Sequence, residues 1–351
     1  MSISADERRA RILAEVHRLG SVRVASLAQA LGLPAVTVRR DVAALADAGA
    51  VRRTHGSVSV PAGGDLRPAN GPLIGLLVPA AGQYFADVIA GARKAAGARG
   101  AHLVLAISAY EADADRDQVE QLLRSGVEGL LLAPNWTPSN PPDTHGWAGE
   151  LALPTVLVER SPAPGGRAAE LDSVSSDHRH GVLTALRHLA SSGRRHIALV
   201  ARRDTWTAHQ VRNGYAEGCE LLGLTGQPVI DSPGPQADAD AVADRIVRAR
   251  ERGAEAVMVH NDQDAIQLLP LLRIRGLRVP EDLAVISYDD VFAALGAPPL
   301  TAVAPPKKGV GAEAVDLLLR RMAGGAPVPP VRHVRLLPTL TVRASCGGPA
   351  R

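Results

Sequence analysis

The sequence predicts an α/β protein, with a two-lobed body of parallel sheets behind a small N-terminal winged helix-turn-helix. Three observations carry that expectation. Beyond residue 73, short apolar runs alternate with amphipathic stretches of helical period, the pattern of parallel strands covered by helices on both faces. The first sixty residues instead read as three short helices and a hairpin, and they are basic. Between the two regions, "PAGGDLRPANGP" (61–72) is rich in Pro and Gly and has no periodicity, as a flexible linker would.

The N-terminal elements follow in order. Ser4 and Glu7 stand at capping-box spacing, and Ile12, Leu13, Val16 and Leu19 form one apolar helical face that Gly20 terminates. A brief extended "SVRV" leads to a second helix, "ASLAQALG", ending at Gly32. Pro34 suits the first turn of a third helix, because its missing N–H has no partner to lose there. On that helix Val38, Val42 and Leu45 should be buried, leaving Thr37, Arg40 and Ala44 on an outward stripe with Arg39 beside it. After Gly49, "AVRRTHGSVSV" alternates as a hairpin does, with Gly56 near its turn.

Charge separates this module from the rest. Residues 1–60 hold nine arginines against five acids, a net +4, so the remainder of a chain of net charge +3 is about neutral at −1. A basic module on a neutral body points to a polyanion partner for the module alone. Arg39 and Arg40 could reach phosphates and base edges of duplex DNA, since Arg reads guanine bidentately, and Thr37 lies on the same stripe. Arg52, Arg53 and His55 would add phosphate contacts from the wing.

In the body, strands are expected at 73–79, 101–107, 128–133, 154–158, 196–201, 255–260 and 283–289. Ligands of open α/β sheets bind beyond the carboxyl ends of the strands. Of nine aromatic residues in the chain, six follow such ends: Tyr84, Phe85, Tyr110, Trp136, Trp206 and Tyr288. Arg160, Asn261, Asp262, Asp289 and Asp290 join them. Flat apolar faces beside carboxylates and amides suit a neutral, hydroxyl-rich molecule such as a sugar or a nucleoside.

Two resemblances sharpen these readings. "VRVASLAQALGLPAVTVRRDVAALADAGAVRRTHGSV" resembles the DNA-binding domain of DeoR-type bacterial repressors, above all in "TVRRD" followed by "GAVRRTHG". "SGVEGLLLAP", "LPTVLVER", "HLASSGRRHIALV" and the long "VPEDLAVISYDD…PPLTAV" segment resemble the effector-binding domain of LacI/GalR repressors, itself similar to periplasmic sugar-binding proteins. The second resemblance implies two lobes joined by three crossovers, with the ligand between them. It implies aromatic contacts from Tyr84 and Phe85, and hydrogen bonds from ligand hydroxyls to Asp262 and Asp289. The chain departs from that pattern at Gly82-Gln83, where an Asn-Pro is usual, and at Val211, where a ligand-anchoring arginine is usual, Arg212 standing one place later. The family's hinge helix has no counterpart in the linker.

The expected organisation is residues 1–60 as the DNA-binding domain, 61–72 as linker and 73–346 as effector-binding domain. Its lobe one takes about 73–175 and 304–328, and its lobe two about 176–303 and 329–346. The expected partners are operator DNA, a small effector and a second copy of the chain, two half-sites being the usual basis of affinity. No metal or cofactor is expected. "EADADRD" (111–117) and "DADAVAD" (238–244) lack the glycine and terminal glutamate of an EF-hand and read as helix starts. "DHRHG" (177–181) reads as a crossover loop. Neither "GxxxxGK" nor "GxGxxG" occurs, and no Ser/His/Asp arrangement can be argued from spacing, so an enzyme has no positive signal. Two cysteines, no apolar leader and no run of about 20 apolar residues fit a cytoplasmic protein. The alternatives to a sugar-responsive repressor are a nucleoside- or purine-responsive regulator of the same build, and an α/β enzyme or transport-type binding protein with an incidental helical domain.

Overall fold

Helix α1 (Ala5–Leu19) opens the chain in the computed structural model, which describes residues 5–19, 21–47, 50–54, 57–59, 71–80, 82–108, 112–136, 142–162, 164–232, 238–324 and 329–347. Strand β1 (Ser21–Arg23), α2 (Val24–Ala30), α3 (Ala35–Asp47), β2 (Arg52–Thr54) and β3 (Ser57–Ser59) follow. The expected hairpin forms, with Arg53 opposite Val58, and β1 adds to its other edge with Val22 opposite the same Val58. Ile12, Val16, Leu27, Val38, Leu45 and Val58 are fully buried and close a small core of their own.

Two compact units divide the chain: Met1–Trp136, Asn140–Ser175 and Lys307–Val334 make one, and Thr137–Ser139, Ser176–Pro306 and Arg335–Arg351 the other. The first carries a six-stranded sheet. Its elements are β4 (Leu73–Val78), α4 (Gln83–Ala98), β5 (His102–Ile107), α5 (Ala112–Arg124), β6 (Gly129–Leu132), β7 (Thr155–Val158) and β8 (Asp172–Ser176). A late return of the chain adds α10 (Lys307–Met322) and β15 (His333–Leu336), giving the order β15-β8-β7-β6-β4-β5. Every residue of β4, β6 and β7 is buried, as expected where helices cover both faces of a parallel sheet. Helices α4 and α10 meet backbone to backbone. A Cβ on Gly311 would stand 2.0 Å from the Val88 carbonyl oxygen, and one on Gly91 2.1 Å from that of Lys308.

The second unit is built the same way from α6 (His178–Ser191), β9 (His196–Ala201), α7 (Trp206–Leu222), β10 (Thr225–Gly226), β11 (Ile230–Asp231), α8 (Ala239–Glu251), β12 (Ala256–Val259), α9 (Asp262–Ile274), β13 (Ala284–Tyr288), β14 (Thr301–Ala304) and β16 (Thr339–Thr341). Its order is β10-β9-β12-β13-β14-β16, with β11 also on β9, and only β16 runs antiparallel. Strand alternation makes two cores. Ala198 and Val200 face Val242, Ile246, Leu268 and Leu272 of α8 and α9, whereas Ile197 and Leu199 face Val182, Leu186, Val211 and Tyr215 of α6 and α7.

Two expectations need correction. Residues 177–181 are not a loop: Asp177 caps α6, accepting the His180 N–H at 2.9 Å, and the following residues are helical. Strand β8, "DSVSS", offers no apolar run to the sequence, four of its five side chains being polar; all five residues are nonetheless buried. Asp172 accounts for part of that burial, accepting from Arg321 Nε at 2.8 Å and from the Arg332 N–H at 2.7 Å.

Candidate DNA-contacting helix and effector site

Helix α3 is held against α1 by an acid inside its "VRRD" sequence. Asp41 is 2% exposed and takes Arg8 Nε at 2.9 Å and Arg9 Nε at 3.5 Å. With Val38, Val42 and Leu45 it makes the inward face. Burial of Asp41 turns that face toward Thr37 and Ala44, which are half-buried, and leaves Val36 and Arg40 outermost. The expected stripe is thus rotated by about one position. Arg39, Arg40, Arg52 and Arg53 are all exposed. His55 lies outside the described residues, as do Tyr110 and most of the linker.

In the first unit, Tyr84 is the second residue of α4, two places after the glycine cap at Gly82. Its hydroxyl donates to Glu159 Oε1 at 2.5 Å, and the Nζ of the buried Lys307 stands 5.5 Å from its ring centroid. Arg160 is also buried. Its Nε donates to the Pro134 carbonyl at 2.5 Å and its Nη1 to the Glu159 carbonyl at 2.8 Å, tying the turn after β7 to the turn after β6. Phe85 and Trp136 are buried, Phe85 edge-on to Tyr84 at 5.5 Å. Asp115, one of the helix-start acids of "EADADRD", is hydrogen-bonded to the residue before Trp136. It accepts the Asn135 N–H at 2.6 Å, and burial pushes its carboxyl above the usual range.

In the second unit, Asp262 Oδ2 accepts the N–H groups of Val291, Phe292 and Ala293 at 2.6, 2.6 and 3.0 Å, so it holds the loop after β13. Asn261 caps α9 through the Asp264 N–H at 2.8 Å. Arg212 donates to the carbonyls of Ala201 and Arg202 and to Asp231 Oδ1 at 2.6, 2.7 and 2.6 Å, which anchors it at the end of β9. Trp206 opens α7 half-buried, beside His209. Arg202 grips Asp204 through two hydrogen bonds at 2.8 and 2.6 Å. Burial alone would raise the Asp204 pKa, but these bonds and the Arg202 charge hold it below its usual value. His260 directly follows β12, at the carboxyl end of the strand expected at 255–260. It is buried, its Nδ1 has no hydrogen-bond partner among the described residues, and burial pushes its pKa down to about 3. Burial likewise raises the carboxyl of Asp264, which accepts from Ser232 at 3.2 Å.

Backbone geometry singles out the same places. Among the described residues, positive φ at non-glycine positions occurs at Glu159 (53°), Asn261 (137°), Asp289 (91°) and Asp290 (49°). All four follow the carboxyl end of a parallel strand by one or two residues. Such conformations cost on the order of 1–3 kcal/mol each and persist where the surroundings impose them, commonly at binding sites. Asp290 is bound to Arg343 at 2.7 Å and Thr341 at 2.8 Å, whereas Asp289 is partly exposed beside it. No helix among the described residues is long and apolar enough to cross a membrane, and no three His, Cys, Asp or Glu residues group to hold a metal ion.

Known proteins share both parts. Residues 8–62 match the profile of a DeoR-like helix-turn-helix domain, and residues 186–346 that of a periplasmic binding protein-like domain. The HTH-type transcriptional repressor PurR of Aliivibrio fischeri is 27% identical over 255 residues, covering 71% of this chain and 74% of that one. The ribose operon repressor of Escherichia coli is 27% identical over 278 residues, covering 78% and 81%. Among solved structures, the complex of the transcriptional regulator CelR with cellobiose superposes with a TM-score of 0.66 at 25% identity, over 89% of this chain and 90% of that one. A LacI-family regulatory protein from Chloroflexus aggregans gives 0.66 at 26%, over 78% and 98%.

Proposed function

We infer that this chain is a transcriptional repressor, a helix-turn-helix domain joined to a periplasmic binding protein-like body that senses a small molecule. It is a regulator and not an enzyme, as its relatives are. The DNA contacts are assigned to Arg39, Arg40 and Thr37 on α3 and to Arg52, Arg53 and His55 on the wing. The observation that carries this is the exposed Arg39–Arg40 pair beside a buried Asp41 that fixes the helix. Replacing Arg52 by Ala should weaken binding to every duplex and lower the salt slope by about one. Unchanged affinity of Arg40→Ala and Arg52→Ala across a salt series would remove the assignment.

The effector is proposed to be a neutral carbohydrate. Supporting this are the carboxylates and amides at strained strand ends, the rings of Tyr84 and Trp206, and the pairing of the nearby cations: Arg202 with Asp204, and Arg212 with Asp231. Tyr84, Phe85, Trp136 and Arg160 are assigned to it from the first unit, and Trp206, Arg212, Asn261, Asp262 and Asp289 from the second. The protein is expected to act in the cytoplasm as a homodimer on paired half-sites. A thermal-shift panel of sugars, sugar phosphates and nucleosides tests the ligand class, because a ligand of the native state raises Tm. A shift with phosphorylated compounds alone would overturn it.

A further inference from the structure

Val36 is the outermost residue of helix α3, and nothing in the fold accounts for it. Its side chain is 75% exposed, the only large hydrophobic residue so exposed among the described side chains before residue 60. A β-branched residue is a poor helix former, so an exposed helical position gains nothing from valine in either propensity or burial. Lone exposed apolar residues are ordinary on a protein surface, so exposure alone assigns no role. Its placement does. One turn on stands Arg40, on the same outward line, and Pro34 and Ala35, also exposed, keep the start of the helix slender. The inward face, Val38, Asp41, Val42 and Leu45, lies opposite. A helix entering a major groove therefore leads with one branched apolar group and one guanidinium. The thymine C5-methyl is the apolar group that the base edges present in that groove.

We propose that Val36 reads a thymine methyl in the operator, next to the position contacted by Arg40. This rests on the DNA-binding reading of α3 and adds a base preference to it. Burying one methyl between the Val36 side chain and the groove is worth about fourfold in affinity.

The experiment uses the full chain. Duplexes that it binds are first selected from a random pool, and each thymine of the selected sequence is then replaced by uracil, which removes only the methyl. The wild type should lose about fourfold at one thymine per half-site and little at the others. The Val36→Ala protein should bind the thymine duplex more weakly by a similar factor and be indifferent to uracil at that position. Val36 being exposed, the variant should melt with the wild type, which separates a lost contact from a lost fold. Equal wild-type affinity for every uracil duplex would overturn the proposal, as would a Val36→Ala protein still sensitive at the same position. Failure to select any duplex would overturn the DNA-binding reading and this one with it, a result distinct from the other two.

Discussion

The hydroxyl of Tyr84 donates to Glu159 Oε1 at 2.5 Å, joining the start of α4 to a residue held at a φ of 53° after β7. Glu159 is 1% exposed, so the partner that its carboxylate loses with that hydroxyl cannot readily be replaced by bulk water. Tyr84→Phe keeps the ring beside Lys307 and removes the bond. It is expected to cost about 1 kcal/mol of stability and to weaken effector binding several-fold by freeing the turn. Calorimetric titration with the effector found by thermal shift, together with a melting curve, checks both. Wild-type values in each would remove Tyr84 from the site.

Asp41 offers a test in which electrostatics and positioning have opposite signs. Asp41→Asn raises the charge of the DNA-binding module by one, which by itself would tighten binding to a polyanion. Losing the grip on Arg8 and Arg9 should loosen α3 instead, at about 1–2 kcal/mol of stability, since both arginines are partly exposed. Weaker operator binding at every salt concentration is the expected result. Tighter binding would show that the acid does not position the helix.

Asp289 stands at a φ of 91°, where Asn is tolerated and Ala is strained. Asp289→Asn therefore removes the carboxylate with little backbone cost. Operator affinity in the absence of effector should be unchanged, while effector affinity falls about tenfold or more and the response of operator binding to effector falls with it. Separate measurements of the two affinities decide the matter. A variant that keeps wild-type effector affinity would move the ligand elsewhere.

His260 predicts the acid limb of stability. Its pKa is about 3 in the folded chain and near 6.5 when unfolded, so below pH 6.5 the unfolded state binds the extra proton. The stability due to the neutral ring is complete above pH 6.5 and is lost as pH falls toward 3, by an amount on the order of 3 kcal/mol at pH 4. His260→Asn should flatten that limb in melting temperatures taken from pH 7 to 4. Parallel limbs for the two proteins would mean that His260 is not buried and neutral.

Much of this was legible because periodicity and charge are local. Seven strands of the body can be read from apolar runs, and the winged helix from the apolar faces of its helices, its hairpin and its arginines; Ser4 of the expected capping box and Gly20 lie outside the described residues. What stayed hidden depends on partners distant in sequence. Nothing local in the sequence marks Asp41 as buried, since Arg8 and Arg9 cover it from another helix, and its burial is what turns the outward stripe toward Val36. Strand β8 looks like a polar loop until Arg321 and the Arg332 N–H engage Asp172. Asp115 carries no sequence signal of burial, because its surroundings come from turns many residues away, whereas His260 closes the apolar strand expected at 255–260 and could have been suspected of it. Glu159, next to the expected Arg160, could have been suspected from its place after an apolar strand.

The late return of α10 and β15 to the first sheet has a consequence for synthesis. When the ribosome has made residue 306, the sheet of β4 to β8 still lacks the helix that packs on β6 and β7 and the strand that pairs with β8. Since the end of β8 at Ser176 its apolar face has waited, uncovered, through residues 177–306, all of which belong to the other unit. The winged helix has no such dependence, since its elements lie within sixty residues of one another. Nascent chains should therefore present a finished DNA-binding head on an unfinished body, a species whose open sheet invites chaperones and aggregation until the last strands emerge.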